Sequence, residues 1–410
     1  MHATPLERSR RDRGILYAAA FLRALATGMA GIMLGIYLAR LGLTPQRIGF
    51  VITAGLSGAA LATLIATVGG DRLGFKRFLF ALAALGAVGG AAVAASSHAM
   101  TIALAAFVGM LNGMGRDRGA ALALEQAALP ATAAADNRTR VIAWYNVLQD
   151  AGHAGGSLLG SAPALFRRYT AAGDLESLRL GFGLYALLLV ATAVLYLGLS
   201  PDLARPAERP AQISPETRRM LWRICALFGI DSLAGGLLTT ALLSYFFFER
   251  FGVSIAVIGA VFAGARIANA LSHLGAAWLA RRIGLVNTMV FTHIPSSLLL
   301  VTVAFAPSFP VAAMLFLLRE GLVEMDVPTR QSYVMAVVRP EERTFASGAT
   351  HLVRMGAWAV GPSFAGFFMQ GVSLAMPLFA GAAMKIAYDV LLYAAFRRRK
   401  APEEIAGQSR

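Results

Sequence analysis

The stretch Gly70-Asp71-Arg72-Leu73-Gly74-Phe75-Lys76-Arg77, GDRLGFKR, packs four charges between two long apolar runs. A phosphate-binding loop would follow a strand and end in Lys-Ser or Lys-Thr within a set glycine pattern, and this stretch does neither. It is therefore a turn between two elements, and the flanking runs decide what those elements are.

Hydrophobic residues make up 57% of the 410 residues and charged ones 14%, against about 45 to 50% and about 25% in an ordinary soluble domain. The apolar residues come in blocks long enough for an α-helix to cross a hydrocarbon core, about 20 residues. Six such spans fall near 14–39, 47–69, 78–97, 100–124, 139–165 and 179–199. Six more fall near 219–247, 254–279, 286–306, 309–336, 344–370 and 372–396. An open sheet edge would strand its N–H and C=O groups in lipid, so the expected fold is an all-α integral membrane protein of twelve transmembrane helices.

The net charge of +15 has a place in this scheme. With the N-terminus in the cytoplasm, the inner loops and tails collect Arg8 to Arg13, Arg72, Lys76, Arg77, Arg281, Arg282 and Arg397 to Lys400, while the outer loops keep few basic residues. The positive-inside rule then puts both termini in the cytoplasm of a multi-pass protein of the inner membrane. No nucleic-acid partner is needed to account for the charge. The basic start is not read as a cleaved signal, because the apolar run behind it is too long and contains Arg23. One cysteine, Cys225, and scattered histidines give no disulfide and no metal-ligand spacing. Nothing calls for a metal or a cofactor.

The segment Pro201 to Pro215, PDLARPAERPAQISP, carries four prolines and reads as a linker. The expected division is an N-terminal six-helix bundle over 1–200, a cytoplasmic linker over 201–218 and a C-terminal bundle with a basic tail over 219–410. Two weak echoes join the halves. Ala280-Arg281-Arg282-Ile283-Gly284 stands where GDRLGFKR stands in the first half, and Gln126 precedes Arg138-Thr139 as Gln331 precedes Arg343-Thr344.

Twelve spans, a six-plus-six division and Asp71-Arg72-x-Gly74-x-Lys76-Arg77 after the second span resemble the major facilitator superfamily. The topology covers nearly the whole chain and the motif eight residues. The resemblance implies that Asp71, Arg72, Gly74, Lys76 and Arg77 form a cytoplasmic gate element, with Gly74 in a tight turn and the charges pairing across helices. The alternative is a basic loop that only fixes orientation. The second copy has Arg281 where the Asp would fall. The family's antiporters carry a Gly-Pro signature in span five; here Gly152, Gly155, Gly156 and Gly160 occur without it, and close helix packing is the competing reading.

Ionisable residues within spans are costly, about 2.5 to 3.5 kcal/mol each on insertion scales, so they pair, line water or act. Asp231 stands in an apolar stretch of span seven with no basic residue within a turn, and is a candidate proton carrier. Asp150 and His153 share a face of span five and offer either a proton relay or a polar glue between helices. Arg23, Arg116, Asp117, Arg118, Arg266, Glu320, Glu324, Asp326 and Arg354 are candidates for substrate binding or a charge network. Glu125, Arg330 and Gln331 read as network residues near span ends, and Lys385 with Asp389 as an i,i+4 pair that neutralises itself.

The resulting expectation is a secondary active transporter, not an enzyme, moving a small organic solute by alternating access as a monomer, with proton coupling because no nucleotide-binding motif is present. Efflux of a drug or metabolite and uptake of an organic anion are both open. So is a non-transporting receptor or assembly factor built on a transporter scaffold.

Overall fold

The computed structural model describes residues 5–134, 137–200, 203, 214–327, 329–330, 338–339 and 342–396. Among them there are helices and no strand. In chain order these are α1 Pro5–Arg40, α2 Pro45–Leu73, α3 Phe75–Ala95, α4 Ala99–Val108, α5 Ala120–Ala128, a 3-10 turn Leu129–Thr132, α6 Arg138–Leu159, α7 Ala162–Tyr169 and α8 Asp174–Leu197. Then follow α9 Pro215–Leu237, α10 Thr240–Phe251, α11 Ile255–Ile283, α12 Leu285–Ala304, α13 Phe309–Val323, α14 Arg343–Gly371 and α15 Met376–Phe396.

Eight helical stretches among the described residues are long and apolar enough to cross a membrane, so the count of twelve is not reached by that measure. Span four, expected as one helix over 100–124, is broken between α4 and α5. Span seven is divided into α9 and α10, which together make one of the eight stretches. The expected span ten continues past α13 into residues 331–337, which lie outside those described.

Local chemistry explains where helices start and stop. Gly74, between α2 and α3, has φ 77°, and Gly284, between α11 and α12, has φ 86°. Side chains rarely adopt that region, so both turns call for glycine. α9 begins at Pro215, inside the stretch expected as linker. Ser214 accepts the Thr217 N–H and proline fits the first helical position. α9 ends just after Gly235-Gly236, poor helix formers, and Thr239 restarts the chain by accepting the Leu242 N–H.

The chain divides into two compact units. One comprises Met1–Ala207, Thr239–Ala263 and Pro362–Gln370; the other Glu208–Leu238, Gly264–Gly361 and Gly371–Arg410. In the first, α1 packs on α6, α8 and α10, and α3 on α8. The α1–α6 approach is glycine-made: a Cβ on Gly156 would run into the Leu25 carbonyl oxygen. Close packing thus accounts for the glycine run of span five. In the second, α12 packs on α13 and α15, and α15 on α9, around Phe228, Met289, Val290, Tyr388 and Leu392.

Candidate functional site

The break in span four sets up the first cluster. Residues 109–119 leave the helix, and backbone polar groups inside a membrane-spanning segment need internal partners. They have them. Asn112 accepts the Met114 N–H at 2.7 Å and donates to the Arg116 carbonyl at 2.6 Å. His153 Nε2 accepts the Asp117 N–H at 2.8 Å, and Asp117 Oδ1 accepts the Gly119 N–H at 3.2 Å. Thr240 and the Ala241 N–H donate to the carbonyls of Met114 and Gly113 at 2.8 and 2.9 Å.

Beside this loop, Arg23 of α1 is clamped between two carboxylates. Its Nε donates to Asp117, and its Nη1 and Nη2 donate to the two oxygens of Glu125 at 2.9 and 2.6 Å. Tyr145 of α6 and Tyr196 of α8 also donate to Glu125, at 2.5 and 2.6 Å. Glu125 is fully buried, and four donors fill its roughly four lone-pair directions. A cavity of about 600 Å³, its open mouth included, lies against Arg23, Thr27, Asn112, Asp117 and Tyr185.

The second unit holds a longer chain of charges. Asp231 of α9 accepts from Arg330 at 3.1 Å and from Lys385 of α15 at 3.0 Å. Arg330 also donates to Asp326 at 2.8 Å, and its guanidinium lies 5.1 Å from the centre of the Phe228 ring. Lys385 reaches Nε2 of His293 on α12 at 3.3 Å, and Nδ1 of His293 stands 3.0 Å from both oxygens of Asp389. All six side chains are buried, Asp389 completely.

The sequence candidates therefore sort as follows. Arg23 and Asp117 meet, and Asp231 and Asp326 share Arg330. Arg319 pairs with Glu320, which also takes an amide hydrogen bond from Asn269 at 3.0 Å. Arg354 donates to Ser232 at 3.2 Å and lies over Trp358. Arg116, Arg118, Arg266 and Glu324 are half-buried; Asp150 is exposed whereas His153 is buried. Lys76 is half-buried and Arg77 exposed, while Asp71 and Arg72 close the last turn of α2 with side chains outside the described residues. Gln331 is also outside them.

Two readings change. Asp231 has two cationic partners, both distant in sequence, which is why its own helix showed none. Lys385 and Asp389 do not form a direct pair; Lys385 turns to Asp231 and both flank His293. The sequence signal for His293, a lone histidine in an apolar span, was present without a partner to give it meaning. Tyr145 and Tyr196 gave none, since a tyrosine in a span is ordinary.

The chain matches the family described as Major Facilitator Superfamily over residues 16–362. A membrane protein of Saccharomyces cerevisiae described as uncharacterized, YJR124C, is 24% identical, with 94% of each chain covered. Among solved structures, the nucleoside transporter NupG aligns with TM-score 0.74 at 16% identity, covering 94% of this chain and 99% of that one. A mutant of the peptide transporter POT in complex with sulfate aligns with TM-score 0.75 at 13% identity, covering 94% of each. A bacterial homologue of the lysosomal transporter Spinster aligns with TM-score 0.70 at 14% identity, covering 99% and 98%. At these identities the structural likeness speaks for the fold.

Proposed function

Because the chain belongs to the major facilitator superfamily, we propose that it is a secondary active transporter, moving a small organic solute across the cytoplasmic membrane by alternating access of its two halves. Proton-coupled efflux is the direction and energy source we favour, by a monomer with both termini in the cytoplasm. Membership of a transporter family supports transport as the activity.

The observation that carries it is the buried charge chain around Asp231. Ionised groups within apolar helices are retained at a cost, and a buried ion pair is weak evidence for stability, since apolar replacements of similar volume often do as well. Use in transport gives a reason to keep several carboxylates, a lysine, an arginine and a histidine within reach of one another. In a transporter, proton and substrate need different affinities for different states to be coupled, and a chain of titratable contacts between helices provides such a difference. His153 offers a second lever, since a protonated Nε2 cannot accept the Asp117 N–H. Asp150 joins it as a candidate on sequence grounds. GDRLGFKR is proposed as the gate element, with Gly74 making its turn.

A second reading, uptake of an organic anion, is favoured by the half-buried Arg116, Arg118, Arg266 and Arg354, because guanidinium groups bind carboxylate or phosphate in a bidentate fork.

The test is flux in proteoliposomes under an imposed pH gradient, across a panel of organic anions, cations and neutral solutes, with Asp231→Asn beside the unaltered chain. Accumulation that follows the gradient and is lost in the folded variant supports the reading. No gradient-driven flux of any solute sinks it and favours a non-transporting role on the same scaffold.

A further inference from the structure

The charge chain of the second unit does not balance. Asp231, Asp326 and Asp389 face Arg330 and Lys385, so three acids stand against two bases with His293 between them. Among the described residues the neighbouring elements do not repair this. Arg354 of α14 adds a positive field at Asp231 and Glu324 a negative one at Asp326, and both are half-buried. Arg319 and Glu320 of α13 close on each other. Tyr388 and His293 stand in a T-shaped arrangement with the ring centroids 6.1 Å apart. Residues 331–337, QSYVMAV, contain no ionisable acid or base other than a tyrosine. An uncompensated charge in a low-dielectric interior is strongly disfavoured, and the usual response is to take up a proton.

Geometry says where the proton goes. Asp231 accepts from two cations and Asp326 from Arg330. Among the described residues Asp389 has a single hydrogen-bond donor, His293. Lys385 is an ammonium and can only donate, so its contact with His293 Nε2 requires a lone pair there. The remaining ring proton is then on Nδ1, pointing at Asp389. A further proton has two places to bind: Nε2, which displaces Lys385 towards Asp231, or one oxygen of Asp389, whose other oxygen keeps accepting from Nδ1–H.

We infer that His293 and Asp389 together bind one exchangeable proton, and that its arrival or departure is passed through Lys385 to Asp231. Asp231 becomes the receiver of the signal and the His293–Asp389 pair its proton site, a residue pair joining α12 to α15. With the proton bound the cluster is neutral and its four helical segments close on one another. Without it the excess negative charge favours a state in which the cluster meets water or a cationic partner. What that change is used for rests on the transporter reading above; the proton site itself does not.

The test needs no substrate. The full chain, labelled with 15N-histidine and held in lipid nanodiscs, is titrated while imidazole nitrogens are followed by NMR and carboxylic-acid C=O stretches by infrared difference spectroscopy. One proton is expected to bind per chain at this site, seen at His293 or at Asp389, with the signal lost in Asp389→Asn or His293→Gln. Lys385→Met removes a positive neighbour, so the midpoint moves to higher pH. If His293→Gln does not fold, its resonance is assigned in the unaltered chain by replacing the other five of the six histidines one at a time. A His293 and Asp389 that keep one protonation state throughout the range in which the chain stays folded overturn the inference. So does a midpoint in Lys385→Met that is unmoved or shifted to lower pH. Absence of flux beside an intact titration instead removes the transporter reading and leaves the proton site.

Discussion

Glu125 and Asp389 are both carboxylates with no exposure to solvent, yet they are held in opposite ways. Glu125 receives two arginine nitrogens and two tyrosine hydroxyls, so every acceptor direction is used. Asp389 receives one imidazole N–H shared between its oxygens. A saturated carboxylate is a fastener between α1, α5, α6 and α8; an unsaturated one has capacity left for a proton. Burial alone does not separate a structural acid from a working one, whereas the census of donors does.

Breaking the fastener carries the largest expected cost. Glu125→Ala removes a buried partner of Arg23 and is expected to destabilise the chain by about 3 to 5 kcal/mol, read as loss of thermal stability of purified protein. Tyr145→Phe deletes one hydrogen bond to the same charge and is expected to cost about 1.5 to 3 kcal/mol in the same assay. A Tyr145→Phe protein as stable as the parent would mean that Glu125 is not saturated in the way described.

Gly156→Val tests the scaffold that brings the fastener together. Gly156 lets α6, which carries Tyr145 and His153, approach α1, which carries Arg23. The added side chain meets the Leu25 backbone, and a loss of about 1 to 3 kcal/mol is expected for such overpacking.

The smallest effect concerns an acid outside the spans. Glu342 accepts the Ser214 N–H and the Thr217 hydroxyl at the start of α9. The Ser214 N–H, followed by the Thr217 hydroxyl, holds its carboxyl below the ordinary value of 4.5. A lowered folded-state pKa stabilises fully above the unfolded value and is lost as pH falls through the folded one. Thermal stability of Glu342→Gln should thus fall below that of the parent at neutral pH and converge with it in acid. A gap that persists or widens in acid would contradict this.

Much of the fold was legible. Apolar runs marked the helices, and glycine at 74 and 284 marked two turns that the backbone makes with positive φ. The break at 109–119 was hidden, because GMLNGMG continues an apolar run and the partners that satisfy its freed backbone, His153 and Thr240, lie far along the chain. Charge pairing was legible only where it stayed local. Asp326 and Arg330 pair at i,i+4, whereas Lys385 and Asp389 have the same spacing and look across to other helices. In a buried site an interhelical partner with full geometry outcompetes a local one, and one sequence does not say which helices face each other.

This division of labour, a proton handled by the open network and a fold held by the closed one, is what we propose. Its most direct test uses a solute found by the flux panel and compares accumulation driven by a pH gradient in Asp389→Asn and Tyr145→Phe proteoliposomes matched for folded protein. Loss of gradient-driven accumulation in Asp389→Asn with its retention in Tyr145→Phe is the predicted result. Gradient-driven accumulation that survives in Asp389→Asn, or fails in folded Tyr145→Phe, would contradict it.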